Sequence, residues 1–328
     1  MKIAVFGAGA IGGHLAARLV AAGADVSVVA RGAHLAAMQA RGIRIVAPDF
    51  NATHPVRASD DPAAFGVQDA VLVTVKAPAL PAVAAGIAPL LGSDTAVVFV
   101  MNGIPWWYFN AHGGRWDGRR VAQADPGGAV WEAIGPQRAL GGVVYSAGTV
   151  IEPGVVQVAH RRSRLFLGEP DGSLSARMAA IAAPLRAGGF LVDESTRIRD
   201  VVWQKLVGNL ANGPPAVLGA AAPKDYATEP AIERVVRACF AEGLAIAAAM
   251  GCRVEVDVDS QVAHLRAMAH RPSILQDLEL GRPMEIDGIY GSALELARLA
   301  GVATPTLDML VALMKVRARM AGLYSDPR

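Results

Sequence analysis

Residues 2–30, KIAVFGAGAIGGHLAARLVAAGADVSVVA, decide how the rest of the chain is read. The run 2–6 is short, apolar and partly β-branched, and it stops at Gly7, which predicts a buried strand. Residues 10–22 place apolar side chains at helical spacing and end at Gly23, and residues 25–30 read as a second strand. Strand, glycine-rich turn, helix and strand within about 30 residues make a βαβ unit. Its junction is Gly7-Ala8-Gly9-Ala10-Ile11-Gly12, a G-x-G-x-x-G. Gly7 permits the tight turn, Gly9 lets the backbone approach a pyrophosphate, and Gly12 lets helix and strand pack closely. The helix start then offers free N–H groups and a partial positive charge to an anion. The motif in this setting points to a bound dinucleotide; the alternative is a tight turn that binds nothing.

The tip of the second strand discriminates between cofactors. An acceptor for ribose hydroxyls is a carboxylate, yet Val26 to Pro48 contains no Asp or Glu. Arg31 stands at the tip instead, and a guanidinium suits a 2′-phosphate. NADP is therefore expected over NAD.

Further along, the apolar runs 70–75 and 96–100 look like buried parallel strands with a helix at about 79–90 between them. Residues 43–59 suggest a hairpin. Residues 139–150, 154–160 and 164–169 read as short strands near the edge of the same sheet, followed by a helix at about 173–187 and a strand at 190–193. Beyond residue 196 the pattern is helical: about 197–212, 228–250, 258–269, 273–280, 286–300 and 306–321. The expected architecture is an α/β Rossmann-type N-terminal domain, 1–195, and an all-α C-terminal domain, 196–328, holding substrate and oligomer contacts. The long apolar helices 228–250 and 306–321 make a homodimer plausible.

Composition excludes several classes. A chain of 328 residues, 53% hydrophobic and 18% charged, can bury a large core and is not disordered. A formal net charge of +2 and the absence of a basic tract argue against a nucleic-acid partner. The densest cluster, Arg161, Arg162 and Arg164, reads as a solvated strand edge. Apolar stretches are too often interrupted for a membrane span, and the glycines of the N-terminus argue against a targeting signal, so a cytoplasmic protein is expected. Cys239 and Cys252 match no metal spacing and read as buried packing in a reducing compartment. The histidines form no triad or metal set; His264 and His270 are six apart, and His270 reads as a surface residue that can also line a cleft.

Of 31 basic residues only Lys2, Lys76, Lys205, Lys224 and Lys315 are lysines. Hydride reduction of a ketone leaves charge on the carbonyl oxygen, which needs a proton donor. Arginine holds its proton too tightly to give it. Lys205, inside a helical segment, is the best candidate acid, and Asn209 lies one turn on, facing the same way.

These residues, with Val73-Thr74-Val75-Lys76, Met101-Asn102-Gly103, Trp203-Gln204-Lys205-Leu206, Ser273-Ile274-Leu275-Gln276-Asp277 and Glu285-Ile286-Asp287-Gly288, give the chain a resemblance to the ketopantoate reductase (2-dehydropantoate 2-reductase) family over nearly its whole length. The resemblance implies NADPH-dependent reduction of a 2-oxoacid, most simply 2-dehydropantoate to pantoate in pantothenate biosynthesis. It also implies a C-terminal domain of the 6-phosphogluconate dehydrogenase C-terminal-like kind. Lys205 would be the acid and Asn209 a substrate ligand. Glu285 would hold the ammonium or accept from a substrate hydroxyl, unless it is an exposed helix-start carboxylate. Ser273 would bond the substrate carboxylate, cap a helix after Pro272, or both. Asn102 would touch substrate and the nicotinamide side. Lys76 would contact cofactor or the substrate carboxylate, or simply lie at a strand end.

The chain departs from the family pattern at 212–216. Gly213 stands where a second Asn belongs, Asn212 is shifted by one, and Ala216 replaces a hydroxyl residue. Each lost bond to a buried partner costs about 1–3 kcal/mol, which leaves room for another substrate. The alternatives are a related NADP-dependent hydroxyacid or opine-type dehydrogenase, and a non-catalytic NADP-binding sensor. The aromatic run Ile104-Pro105-Trp106-Trp107-Tyr108-Phe109 walls a cleft, meets a subunit or packs in the core.

Overall fold

The computed structural model describes residues 1–161 and 163–325. They fall into two compact units. The first comprises Met1–Met101, Pro105–Arg120 and Gly128–Ile198; the second comprises Asn102–Ile104, Val121–Gly127 and the chain from Arg199 on.

In the first unit β1 (Lys2–Phe6), α1 (Ala10–Ala21) and β2 (Asp25–Val29) form the opening βαβ unit. Then come α2 (Gly32–Arg41), β3 (Ile43–Ala47), β4 (Phe50–His54), β5 (Arg57–Ser59), β6 (Ala70–Val73), α3 (Leu80–Gly86) and β7 (Ala96–Val100). α4 (Ala129–Ile134), β8 (Ala139–Tyr145), β9 (Gly148–Glu152), β10 (Val155–Val158), β11 (Arg164–Gly168), α5 (Ala176–Ala187) and β12 (Leu191–Glu194) complete it. The main sheet runs β12-β11-β8-β7-β6-β1-β2-β5. Its pairs are parallel except β8 with β11. β6 and β7 are buried along their whole length, as strands covered on both faces must be. The chain order reverses beside β1, between β2 and β6. The carboxyl ends of these strands therefore open at a topological switch point, where such sheets bind ligands.

Two expectations about this unit need correction. β9 and β10 do not extend the main sheet; they join the 43–54 hairpin in a second sheet, β4-β3-β10-β9. β10 pairs parallel with β3, Val156 opposite Ile45. The physical reason is α1, which contacts β1 and β2 on one side and β3, β9 and β10 on another. It buries His14, Leu15, Ala16, Ala17, Arg18 and Leu19, more than one face can hold. Arg18, inside that layer, pairs with Asp49 at 3.0 Å and lies over the Phe50 ring. The helix expected at 79–90 is also shorter, because Pro78, Pro81 and Pro89 confine it to α3 between two 3₁₀ turns.

The aromatic run is core. Trp106, Trp107, Tyr108 and Phe109 are all buried, and Trp106 packs edge-on against Phe99 and Trp131 at 5.5 and 5.7 Å. Arg161 is exposed and Arg164 pairs with Asp193, as a solvated strand edge would; Arg162 lies outside the described residues.

The second unit is helical: α6 (Ile198–Gly219), α7 (Pro223–Tyr226), α8 (Pro230–Ala249), α9 (Val258–Ala267), α10 (Ser273–Glu279), α11 (Ser292–Ala300) and α12 (Pro305–Met320). α6 runs seven residues past the end expected at 212, straight through Pro214 and Pro215. Prolines remove two backbone donors there, but Ala216 and Val217 are completely buried, and that burial holds the turn together. The segment expected as one helix at 286–300 instead opens with a π turn, Asp287–Gly291, before α11. α12 leaves Met309, Leu313, Val316 and Met320 exposed. Cys239 and Cys252 are buried, and burial pushes the Cys239 thiol up to about 12. No helix among the described residues is long and apolar enough to cross a membrane.

If the aromatic run is core, Phe109→Ala should cost about 3–5 kcal/mol of stability in urea denaturation. The folded protein at low temperature should keep its NADPH affinity by fluorescence titration.

Candidate active site

In the first unit the fingerprint sits at the end of β1. The Gly7 N–H donates to Val29 O on β2 at 3.0 Å, tying the two strand ends together. The Thr74 hydroxyl, just past β6, donates to Gly7 O at 2.5 Å. A Cβ on Gly12 would lie 1.9 Å from Gly7 O and 2.3 Å from Thr74 Oγ1, so only glycine allows this approach. A Cβ on Gly9 would meet nothing, so the backbone there borders open space. The cap position of α1 is Gly9, so the helix has no side-chain cap, and its first turn has no acidic residue. These are the properties a pyrophosphate requires: free N–H groups, an unobstructed approach and no competing negative charge. Arg31 is exposed two residues after β2, at the cap position of α2, whose first turn also lacks an acid. Lys76 is exposed just beyond β6. The residues present thus fit a nicotinamide dinucleotide. Thr74 is a member the sequence reading left without a role; its hydroxyl at a strand end beside the glycines was the available signal.

The second unit gathers the polar candidates. Lys205, Asn209 and Gly213 recur every four residues on α6 and share one face. Lys205 keeps a little accessible surface, yet protein crowds its ammonium. Burial lowers its pKa to about 8, and the charge of Glu285 opposes that fall. Glu285 itself is only 7% exposed, which overturns the exposed helix-start alternative. The other lysines differ: Lys2, Lys76 and Lys224 are exposed, and Lys315 pairs with Asp287 at 2.6 Å. The Tyr324 hydroxyl also donates to Asp287, at 2.8 Å. Asp287, whose place in the motif suggested nothing more, therefore anchors the π turn that follows Glu285.

Asn102 is half-buried two residues after β7. The next residue, Gly103, has φ +86° and packs so tightly on the π turn that a Cβ would lie 2.1 Å from Gly288 O. Asn102 is thus fastened next to the segment that carries Glu285. Ser273 is exposed as the first residue of α10. It does not cap that helix, because the cap position is Pro272 and no side chain fills the role. His264 and His270 are exposed, and no group of metal-ligating side chains occurs among the described residues.

The departure at 213 has a structural counterpart. A Cβ on Gly213 would lie 1.8 Å from Tyr290 Oη, 2.9 Å from its Cζ and 3.3 Å from Ile274 Cγ2. Tyr290, in the π turn, is 1% exposed. Burial and the charge of Glu285 raise its pKa, which keeps it a neutral phenol. Asn212 does not stand in for the missing amide: its Oδ1 accepts from the Tyr226 hydroxyl at 2.5 Å. Tyr290 escaped the sequence reading because nothing local ties it to a residue 77 positions earlier.

The chain matches two families: Ketopantoate reductase PanE/ApbA over residues 3–106, and Ketopantoate reductase PanE/ApbA C terminal over residues 197–318. The 2-dehydropantoate 2-reductase of Mesorhizobium japonicum is 42% identical, across 99% of this chain and 100% of its own. A protein from Ralstonia solanacearum MolK2, assigned as a ketopantoate reductase, has a crystal structure with TM-score 0.92 at 42% identity, covering 98% of this chain and 99% of that one. D-mandelate dehydrogenase, solved with NADH and anilino(oxo)acetate, matches at TM-score 0.81 and 21% identity over 99% and 100%, a likeness of fold.

The packing at 213 is open to direct test. Gly213→Ala should cost about 1–3 kcal/mol in thermal or urea unfolding through overpacking. The penalty should shrink in a Tyr290→Phe background, where the oxygen it strikes is gone.

Proposed function

We propose that this chain, which belongs to the ketopantoate reductase family, uses NADPH to reduce the ketone of a 2-oxoacid to the 2-hydroxy acid, with 2-dehydropantoate the first substrate to try. It is an oxidoreductase acting on a CH–OH group with a nicotinamide cofactor. The observation that carries the finer reading is Lys205: a lysine short of water, beside a buried carboxylate, with a pKa near the working pH.

When bound, the reduced nicotinamide supplies a hydride to the carbonyl carbon. The chain's own groups do the rest. Backbone N–H groups at Gly9–Gly12 hold the pyrophosphate, and Arg31 bonds the 2′-phosphate. Asn209 and Ser273 bind the oxoacid, Asn102 orients it toward the nicotinamide, and Lys76 offers a cation to cofactor or substrate. Lys205 Nζ gives a proton to the carbonyl oxygen as charge develops there, and Glu285 keeps the resulting amine oriented. The space at Gly213 taken by Tyr290 and the buried Ala216 favour a second reading within the same chemistry, a hydroxyacid dehydrogenase for another 2-oxoacid.

Lys205→Ala should lower kcat by about 10²–10⁴-fold while NADPH affinity stays near normal. Since the acid must be protonated, reduction should be flat below pH 8 and decline about tenfold per unit above it; alcohol oxidation, which needs the free amine, should rise through the same range. Glu285→Gln should move that inflexion below 8, because the carboxylate supports the charged form. Normal turnover in Lys205→Ala would overturn the assignment.

The cofactor preference rests on Arg31. Its replacement by Ala should raise KM for NADPH about 10–100-fold, the worth of a charge-assisted hydrogen bond. KM for NADH should hardly change. Equal effects on both cofactors would remove the 2′-phosphate role.

A further inference from the structure

The face of α6 that presents Lys205 and Asn209 has no side chain at its third position, Gly213. The oxygen of Tyr290 fills the root of the missing one, with Ile274 closing the side. The neighbouring positions on α6 offer no replacement oxygen there. Asn212 Oδ1 is taken by Tyr226, and Ala216 is buried without a hydroxyl. Tyr290 reaches the spot because it lies in a π turn. Tyr290 is near enough to Glu285 for that charge to bear on its hydroxyl. The Asp287 ion pair with Lys315 and the Gly103–Gly288 approach fix that turn on two sides. A phenol has one donor and one acceptor on a rigid ring, whereas a carboxamide has two donors and a more mobile stem.

We infer that Tyr290 Oη is the specificity-determining group of this site, supplying from the π turn the hydrogen bond that α6 cannot make at Gly213 and selecting 2-oxoacids with a hydroxyl on the side chain over their deoxy counterparts. This rests on the oxoacid reading above. A single O–H on a ring held by packing recognises one hydroxyl in one position, and a deoxy substrate leaves it without that bond.

The test compares 2-dehydropantoate with 3,3-dimethyl-2-oxobutanoate, which lacks only the hydroxyl, in the full-length wild type and in Tyr290→Phe with NADPH. The wild type should prefer the hydroxylated acid. Tyr290→Phe should lower that preference in kcat/KM about tenfold, mainly through KM, with the pH inflexion near 8 in place. Gly213→Ala, whose methyl displaces the same oxygen, should lower the preference too, with residue 290 itself still a tyrosine. Equal losses on both acids, or a displaced inflexion, would give Tyr290 a packing role and overturn the inference. So would a wild type that turns over neither acid; failure on a wider panel of 2-oxoacids as well would then remove the reductase reading itself.

Discussion

An ammonium held short of water beside a carboxylate is a balance of two opposed costs. Full desolvation alone would strip Lys205 of its proton, and full hydration would leave it too basic to give the proton up. The second unit is arranged around this balance. Trp203, Leu206 and Val207 are buried on α6 around the lysine and keep the helix seated. Glu285 is buried and returns part of what the lost water took. The turn after Glu285 is pinned by Asp287, Lys315 and Tyr324, so the carboxylate is not free to swing out into solvent. The rarity of lysine in the chain acquires a physical meaning here. Arginine forms the ion pairs at Arg18, Arg164 and Arg177, whereas Lys205 is a cation that burial brings closer to neutrality.

The two units recognise by different means. The first uses backbone: glycines that let strand, helix and Thr74 close on one another, and a helix start left uncapped. Such recognition reads phosphate charge and shape and is indifferent to most side chains. The second gathers its candidate side chains on α6, α10, the π turn and the Asn102 loop.

Legibility in the sequence followed the range of the interactions involved. The βαβ unit was legible because its signal is local: periodicity, two glycine stops and a fixed spacing. That Lys205 and Asn209 share a helix face was legible for the same reason, one helical turn apart. The second sheet was not, because β10 pairs with β3 across more than 100 residues and each strand alone looks like an edge strand. The length of α6 was not, because local rules end a helix at Pro214 and the burial of Ala216 and Val217 overrides them. The burial of Glu285 and the meeting of Tyr290 with Gly213 depend on tertiary packing and have no local trace. The aromatic run offered three readings, and only its complete burial selects one.

The contact between Gly213 and Tyr290 also constrains history. While the phenol is in place, any side chain gained at 213 meets an occupant, so even a methyl group there comes at a cost in stability. Losing the phenol first would leave a void beside Gly213. A larger side chain at 213 therefore requires a change at 290 as well.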